Sequence, residues 1–327
     1  MKRILLSGLA IATLGAAQAQ EIEQKKESPK EVEKKVWTKS SEFGANAALS
    51  GTSPNWSGGV ANNLSGNVFF NALAKADWGR TNWDNVLKIN VGAISTMLED
   101  DNLTKYRSTK KNIDNVFFDS KYGYKFKTPK WLSAFASLNI QTQLLAGNSY
   151  VKSIIGRDSA IQTSSFMSQG TTMPSIGLEA KPVKWAFARL GLGAVKQTWV
   201  INQDLYFDGN PLITTAENGK RRLYGVEEGQ TLKQELGFNL QAGLDRSFGP
   251  KKIYNIKVNY LGFAPYEFSS SNSPLDSRFD VGFSAKIGKY VNLNYTLISI
   301  FDKDLSRPGV NAWQNSWILG LGFLYKL

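Results

Sequence analysis

The side chains able to do chemistry in this chain are amines and carboxylates, because its 327 residues include no histidine and no cysteine. That removes the usual general base, the thiol nucleophile and the usual ligands of zinc or copper. The charged residues recur at alternate positions within otherwise apolar stretches: Lys75, Asp77, Asp84, Lys88, Asp119, Lys121, Lys125, Glu179, Lys233, Glu235, Asp245, Lys257, Asp280 and Lys286. Residues two apart share one face of a strand, so these groups are expected to face a common interior, with Val, Leu, Ile and Phe turned the other way. Their signs nearly balance. Two readings stay open: a narrow hydrophilic channel whose opposed charges orient a solute, or a hydrogen-bonded network that fills the interior and holds it rigid.

Other polar clusters point to no reaction. Glu99-Asp100-Asp101-Asn102 lacks the spacing of a calcium loop and reads as a solvated charge run, so neither a metal nor a cofactor is expected. Gly191, Gly193, Gly320 and Gly322 fall on inward parity, where they let the sheet bend or let a loop approach the wall; without a strand-to-helix unit they make no nucleotide fingerprint. Asn55-Trp56-Ser57-Gly58-Gly59 either constricts the mouth of the interior, with Trp56 folded inward, or is a hairpin turn with an interfacial tryptophan. The basic residues Lys105, Arg107, Lys110, Lys111, Lys220, Arg221, Arg222 and Arg307 either meet lipopolysaccharide phosphates or keep mobile loops soluble. Nothing in the spacing of Ser, Lys or carboxylates suggests an enzyme.

The elements that must position these residues are strands. Period-two alternation predicts twelve: Glu42 to Ser50, Asn62 to Ala76, Trp83 to Ser95, Asn115 to Phe126, Trp131 to Ala146, Ser175 to Lys181, Trp185 to Trp199, Leu232 to Asp245, Ile253 to Ala264, Phe279 to Ile287, Val291 to Phe301 and Trp317 to Leu327. A slip of one residue would turn the charges into lipid, so the register is well determined. The connections alternate short and long, which is the pattern of an even-stranded outer-membrane barrel with short periplasmic turns, longer outer loops and both termini periplasmic. Trp78, Trp83, Trp131 and Trp185 fall at the turn ends and Trp199 and Trp317 at the loop ends, as aromatic girdles require.

Met1-Lys2-Arg3, the small apolar run to Ala17 and Ala17-Gln18-Ala19 read as a signal peptide over 1–19. A charged periplasmic tail is expected over 20–36 and the barrel over 37–327. No later apolar run is long enough for a spanning helix. Net charge is +12, or +10 without Lys2 and Arg3, but the cations are dispersed among acids, which argues against nucleic acid.

In the first half, Trp37, Gly44, Asn55-Trp56-Ser57-Gly58-Gly59 and Asn62 are followed by Trp83-Asp84-Asn85, Gly92 and Lys111 with Asp114. Tyr122-Gly123-Tyr124 and Thr142-Gln143-Leu144 with Gly147 complete the pattern. Over roughly Trp37 to Tyr150 it resembles the domain-of-unknown-function family 3078, which implies an exported outer-membrane β-barrel with no established activity. Leu144 departs from the aromatic expected after Thr-Gln. The resemblance supplies no catalytic residue.

The chain is therefore expected to be an all-β, transmembrane, antiparallel up-and-down barrel of about twelve strands in the outer membrane of a Gram-negative envelope. Its expected role is that of a narrow channel or binding barrel for a small hydrophilic solute. The alternatives are a non-transporting structural or assembly component and, third, a membrane-embedded enzyme without histidine. The expected partners are outer-membrane lipid and lipopolysaccharide, the barrel-assembly machinery during insertion, and the solute.

Overall fold

The computed structural model describes residues 36–52, 63–99, 101–102, 105–153, 156–216, 218–266, 275–302 and 313–326. The Asn55, Trp56, Gly58 and Gly59 motif, the signal peptide, the charged tail and Arg307 lie outside these residues.

The first strands are β1 (Val36–Thr52), β2 (Asn63–Trp78), β3 (Thr81–Glu99), β4 (Lys105–Lys125) and β5 (Leu132–Thr142). A hairpin of β6 (Gly147–Lys152) and β7 (Asp158–Ser164) follows, then β8 (Ser168–Val183) and β9 (Ala186–Val200). Three short strands, β10 (Thr214–Thr215), β11 (Arg221–Leu223) and β12 (Val226–Glu227), precede β13 (Leu232–Phe248). The last four are β14 (Tyr254–Pro265), β15 (Asp276–Lys286), β16 (Val291–Phe301) and β17 (Gln314–Lys326).

Twelve of these close into one antiparallel barrel in the order β1-β17-β16-β15-β14-β13-β9-β8-β5-β4-β3-β2. β6–β7 and β10–β11–β12 form two small separate sheets. Closure between β1 and β17 runs from Glu42 opposite Lys326 to Thr52 opposite Ser316, while Val36 to Ser41 extend beyond it on β2 alone. The outer wall exposes Phe43, Val68, Leu138, Leu240, Leu321 and Phe323, an apolar belt suited to hydrocarbon. Asn, Ser, Lys, Asp and Glu alternate with them and fill the interior.

Aromatic rings mark the turn end. Trp37 packs edge-on to Trp78 and Trp83 at 6.2 and 6.0 Å, while Arg80 lies over Tyr124 at 4.8 Å and Arg246 over Trp185 at 5.0 Å.

All twelve expected strands are present, but several are longer than their alternation. β4 begins at Lys105 rather than Asn115, and β8 at Ser168 rather than Ser175; β5 ends at Thr142 rather than Ala146. At about 3.3 Å per residue a 21-residue β4 is about 70 Å long, far more than a hydrocarbon layer of about 25 Å requires even when tilted. Beyond the lipid both faces of a strand meet water, so Lys105 to Asp114 carries no alternation to read.

Two of the inward glycines, Gly191 and Gly322, serve a further role. A methyl group at Gly322 would strike the amides of Asn46 and Asn294, and one at Gly191 would strike Asn239. These glycines leave room for side chains from the flanking strands. Asn294 on β16 reaches over β17 to donate to Asn46 at 3.1 Å, and the ladder continues through Asn67 at 3.3 Å to Asn90 at 2.7 Å. Gly193 is a correction: both neighbours of β9 shift register by one residue beside Leu192 and Gly193, and this bulge returns Gly193 to the outer face against the exposed Ile176.

The seam makes a direct prediction. Gly322→Val should break the amide ladder across the closing strands and cost about 1–3 kcal/mol. Urea unfolding of the refolded barrel, followed by loss of its compact electrophoretic form, would measure the shift; a midpoint equal to wild type would refute it.

Candidate functional site

The interior is the candidate site, and the structure sorts its charges by position. Near the turn end, β3, β4, β8 and β9 bring together Asp84, Asp119, Lys121, Glu179 and Arg189. Lys121 is fully buried and its ammonium lies 2.7 Å from Glu179 and 3.2 Å from Asp84. The Arg189 guanidinium donates through Nε to Glu179 at 2.6 Å and through Nη1 to Asp119 at 3.2 Å and to Gln241 at 2.9 Å. Lys181, at the rim, adds a contact of 3.1 Å to Glu179. Each acid of this cluster is therefore held by at least one cation, as buried charge demands.

A second cluster forms at the loop end. Lys196, buried on β9, lies 2.6 Å from Asp276 and 2.9 Å from Asp302, beside an apolar group of Met173, Ala194 and Phe263 inside the barrel. Between the clusters Arg278 on β15 pairs with Asp280 at 3.0 Å and donates to Gln141 on β5 at 3.2 Å. Those two strands lie nearly opposite in the barrel order, so this bond crosses the lumen.

The remaining expected charges stand apart. Lys233 pairs with Glu235 at 3.2 Å toward the loop end, and Lys257 lies 3.7 Å from Asp245 toward the turn end. Lys125 caps the rim, 2.6 Å from Asp77. Lys75, opposite Asp84 in the ladder, is exposed, as are Lys88 and Lys286.

Arg189, Lys196, Asp276, Arg278 and Asp302 were not among the expected interior charges; Arg278 lies one residue before the strand expected from Phe279. Arg189 shares parity with Gly191, so alternation alone would have found it. Lys196 was hidden by the bulge: counted from Gly191 it falls on the outer face, and the extra residue turns it inward. Asp276 and Asp302 sit at strand ends, where alternation has already stopped.

The motif residues of the first half assemble into two structural clusters. At the loop end Lys111 donates to Asp114, to Gln143 Oε1 and to the carbonyl of Leu145, each at 3.0 Å. Asp114 accepts the backbone N–H groups of Leu144 and Leu145 at 2.9 and 2.7 Å, ending β5 where its ladder stops. The Thr142 hydroxyl accepts from the N–H of Met167 at 2.9 Å, and Gln143 donates to the Ser165 carbonyl at 3.0 Å. Leu144 contributes its backbone here while its side chain is exposed, so an aromatic is dispensable at that position. At the turn end Trp83 Nε1 donates to Ser120 at 2.9 Å, Ser120 donates to Asn85 at 2.8 Å, and Gly123 leaves space for the Asn82 amide.

Two loop-end connections, those holding β6–β7 and β10–β11–β12, are folded over their described residues. Residues 201–231 enclose a core of Leu205, Tyr206, Leu212, Leu223, Tyr224 and Val226 that packs on Val200. Tyr206 donates to the Val226 carbonyl at 2.9 Å, and burial pushes its phenol up to about 12. Tyr224 donates to the Thr163 carbonyl at 3.0 Å, tying this segment to β7. The basic residues of these connections are paired with acids. Arg221 holds Glu228 at 2.6 Å and Asp208 at 2.8 Å, Arg222 holds Glu227 at 2.6 Å, and Lys110 holds Asp158 at 2.7 Å. The Arg221 and Arg222 hydrogen bonds keep the carboxyls of Glu228 and Glu227 below the usual carboxylate range.

Asp114→Ala would orphan two backbone donors and the Lys111 ammonium, at a cost of about 2–3 kcal/mol. Urea unfolding should show that loss, and protease should cut sooner between β5 and β8; an unaltered midpoint and cleavage rate would refute the assigned role.

No curated protein matches the chain. Among solved structures it is similar to the NanC porin, with a TM-score of 0.38 and 6% identity over 87% of this chain and 98% of that one. It is also similar to an outer membrane channel from Pseudomonas putida F1, with a TM-score of 0.36 and 9% identity over 92% and 99% of the two chains. The translocator domain of the autotransporter NalP from Neisseria meningitidis gives 0.35 and 9% over 87% and 88%. Residues 50–148, which hold most of the motif residues placed above, match the family described as protein of unknown function (DUF3078), the family that the sequence resembles.

Proposed function

We propose that the protein is an outer-membrane barrel that passes small hydrophilic solutes through a narrow lumen, with both termini periplasmic. The observation that carries this reading is the presence of exposed charged side chains on the inward face of a closed barrel: Lys88 is exposed, and Lys257 and Asp245 are 53% and 61% exposed. Water therefore reaches them inside the wall. The Lys121, Glu179 and Arg189 cluster narrows the passage on one side, and opposed fixed charges at a constriction select by size and by sign. The wall's partners in this reading are membrane lipid and, at the loop end, lipopolysaccharide; the barrel-assembly machinery inserts it. The absence of histidine and cysteine favours transport over catalysis.

One observation favours the second reading, a closed structural barrel. The Arg278 bond to Gln141 spans the lumen. Planar-bilayer recording separates the two. Wild type should give small discrete openings, and Glu179→Ala with Arg189→Ala should enlarge them about two-fold, because removing both partners opens space without stranding either charge of that pair. Silence from both proteins, each shown to be folded, would leave the closed barrel as the correct reading.

Orientation has its own test. An epitope tag at Asn218-Gly219, an exposed turn of the folded 201–231 segment, should bind antibody on intact cells. Binding only after the outer membrane is opened would invert the topology.

A further inference from the structure

The lumen's charges balance by count but not by access. Asp84, Asp119 and Glu179 are buried or nearly so, and each lies within 3.2 Å of a cationic nitrogen. Asp280 is held at 3.0 Å by Arg278. The charges that water reaches are mostly amines. Lys88 is exposed, and among the described residues no carboxylate lies within ion-pair distance of it. Its ammonium rests over the ring of Phe117 at 5.4 Å.

The charged groups that act on Lys88 are Asp280, Lys257, Arg278 and Asp119. Both acids in that set already have a cation, Asp280 through Arg278 and Asp119 through Arg189. Lys257 keeps only the 3.7 Å contact with Asp245, and both of those side chains are more than half exposed. Such exposed pairs are weak and screened. Lys88, Phe117 and Gln141 form one row across β3, β4 and β5, the Arg278 bond to Gln141 brings its guanidinium to that row, and Lys257 enters from β14, the strand beside that of Arg278 and opposite β3. Two ammonium groups and one guanidinium edge thus border a space in which every nearby carboxylate is engaged or loosely held.

We infer that the lumen binds a small anion, a carboxylate or phosphate group, between Lys88 on β3 and Lys257 on β14, with Arg278 at its edge. The inference deepens the proposed function and rests on its water-filled lumen: the solute that passes is anionic. Lysine suits the task because its point charge on a flexible stem can follow a moving ligand, while Arg278, fixed by Gln141 and Asp280, marks one boundary of the site. Phe117 limits the ligand to one small enough to lie beside the ring.

The test joins a reversal potential to a binding measurement, so that the site and the passage fail separately. In a potassium chloride gradient near 0.1 M, where the screening length of about 10 Å still lets these groups act across the lumen, wild type should favour chloride over potassium. Lys88→Glu with Lys257→Glu should lower that preference about three-fold or more, or reverse it. Titration of folded barrel with inorganic phosphate should show saturable heat, lost in Lys88→Gln with Lys257→Gln. These lysines are exposed, so their replacement should leave the compact electrophoretic form intact. Phosphate binding without conduction would remove the passage and keep the site. Conduction that prefers potassium, conduction whose selectivity ignores both lysines, or the absence of both selectivity and saturable phosphate binding would overturn the inference.

Discussion

Everything in this molecule depends on closure of one hydrogen-bonded ladder. In hydrocarbon an unpaired backbone N–H or C=O costs several kcal/mol, so the sheet must return upon itself, and β1 meets β17 over eleven residue pairs to do so. Closure then dictates the rest. Every second residue faces lipid, the others share one interior, and their chemistry has to be resolved within that interior. The glycines of β17 show how tightly this is built: because Gly322 has no side chain, the Asn294 amide can cross it to Asn46 and fasten the seam from inside.

Burying charge in that interior is costly unless it is paired. Desolvating a carboxylate or ammonium costs several kcal/mol even after relaxation, and the structure answers with Glu179 at 2.7 Å from Lys121 and 2.6 Å from Arg189. The same pairing that makes the cluster tolerable also narrows the lumen. Elsewhere in the interior the requirement is relaxed, because Lys88 on β3 and Lys257 on β14 are exposed rather than buried.

The motif residues divide in the same way. Lys111, Asp114 and Thr142-Gln143 terminate β5 and fix the connection that follows, while Trp83, Asn85 and Ser120 set the wall at the turn-end girdle. Both clusters satisfy backbone or interfacial groups at the two heights where a strand leaves hydrocarbon. Those are the heights at which any barrel of this length must manage its unpaired donors and acceptors, whatever passes through it. The motif is thus a signature of construction, and the interior charges are where function has to be sought.

The sequence by itself determined the architecture. Twelve strands, their order and the inward face carrying Lys75, Asp84, Lys88, Asp119, Lys121 and Lys257 were legible, because contact with lipid on one side writes a period of two into every spanning segment; the long connection expected over Thr96 to Asn112 is instead mostly strand, with β3 running to Glu99 and β4 starting at Lys105. Where that contact ends the record ends too: the polar extension of β4, the β6–β7 hairpin and the segment that packs Leu205, Leu223 and Val226 on Val200 have no lipid-facing side and left no alternation. The bulge in β9 concealed Lys196, since one added residue inverts parity without changing composition. What only the tertiary structure decided is which interior charges face one another and which stay wet. Parity assigns a side chain to the lumen, but pairing depends on strands far apart in the chain, as Arg278 and Gln141 are. Burial depends on how closely opposite walls approach, and that distance is a property of the closed barrel rather than of any one strand.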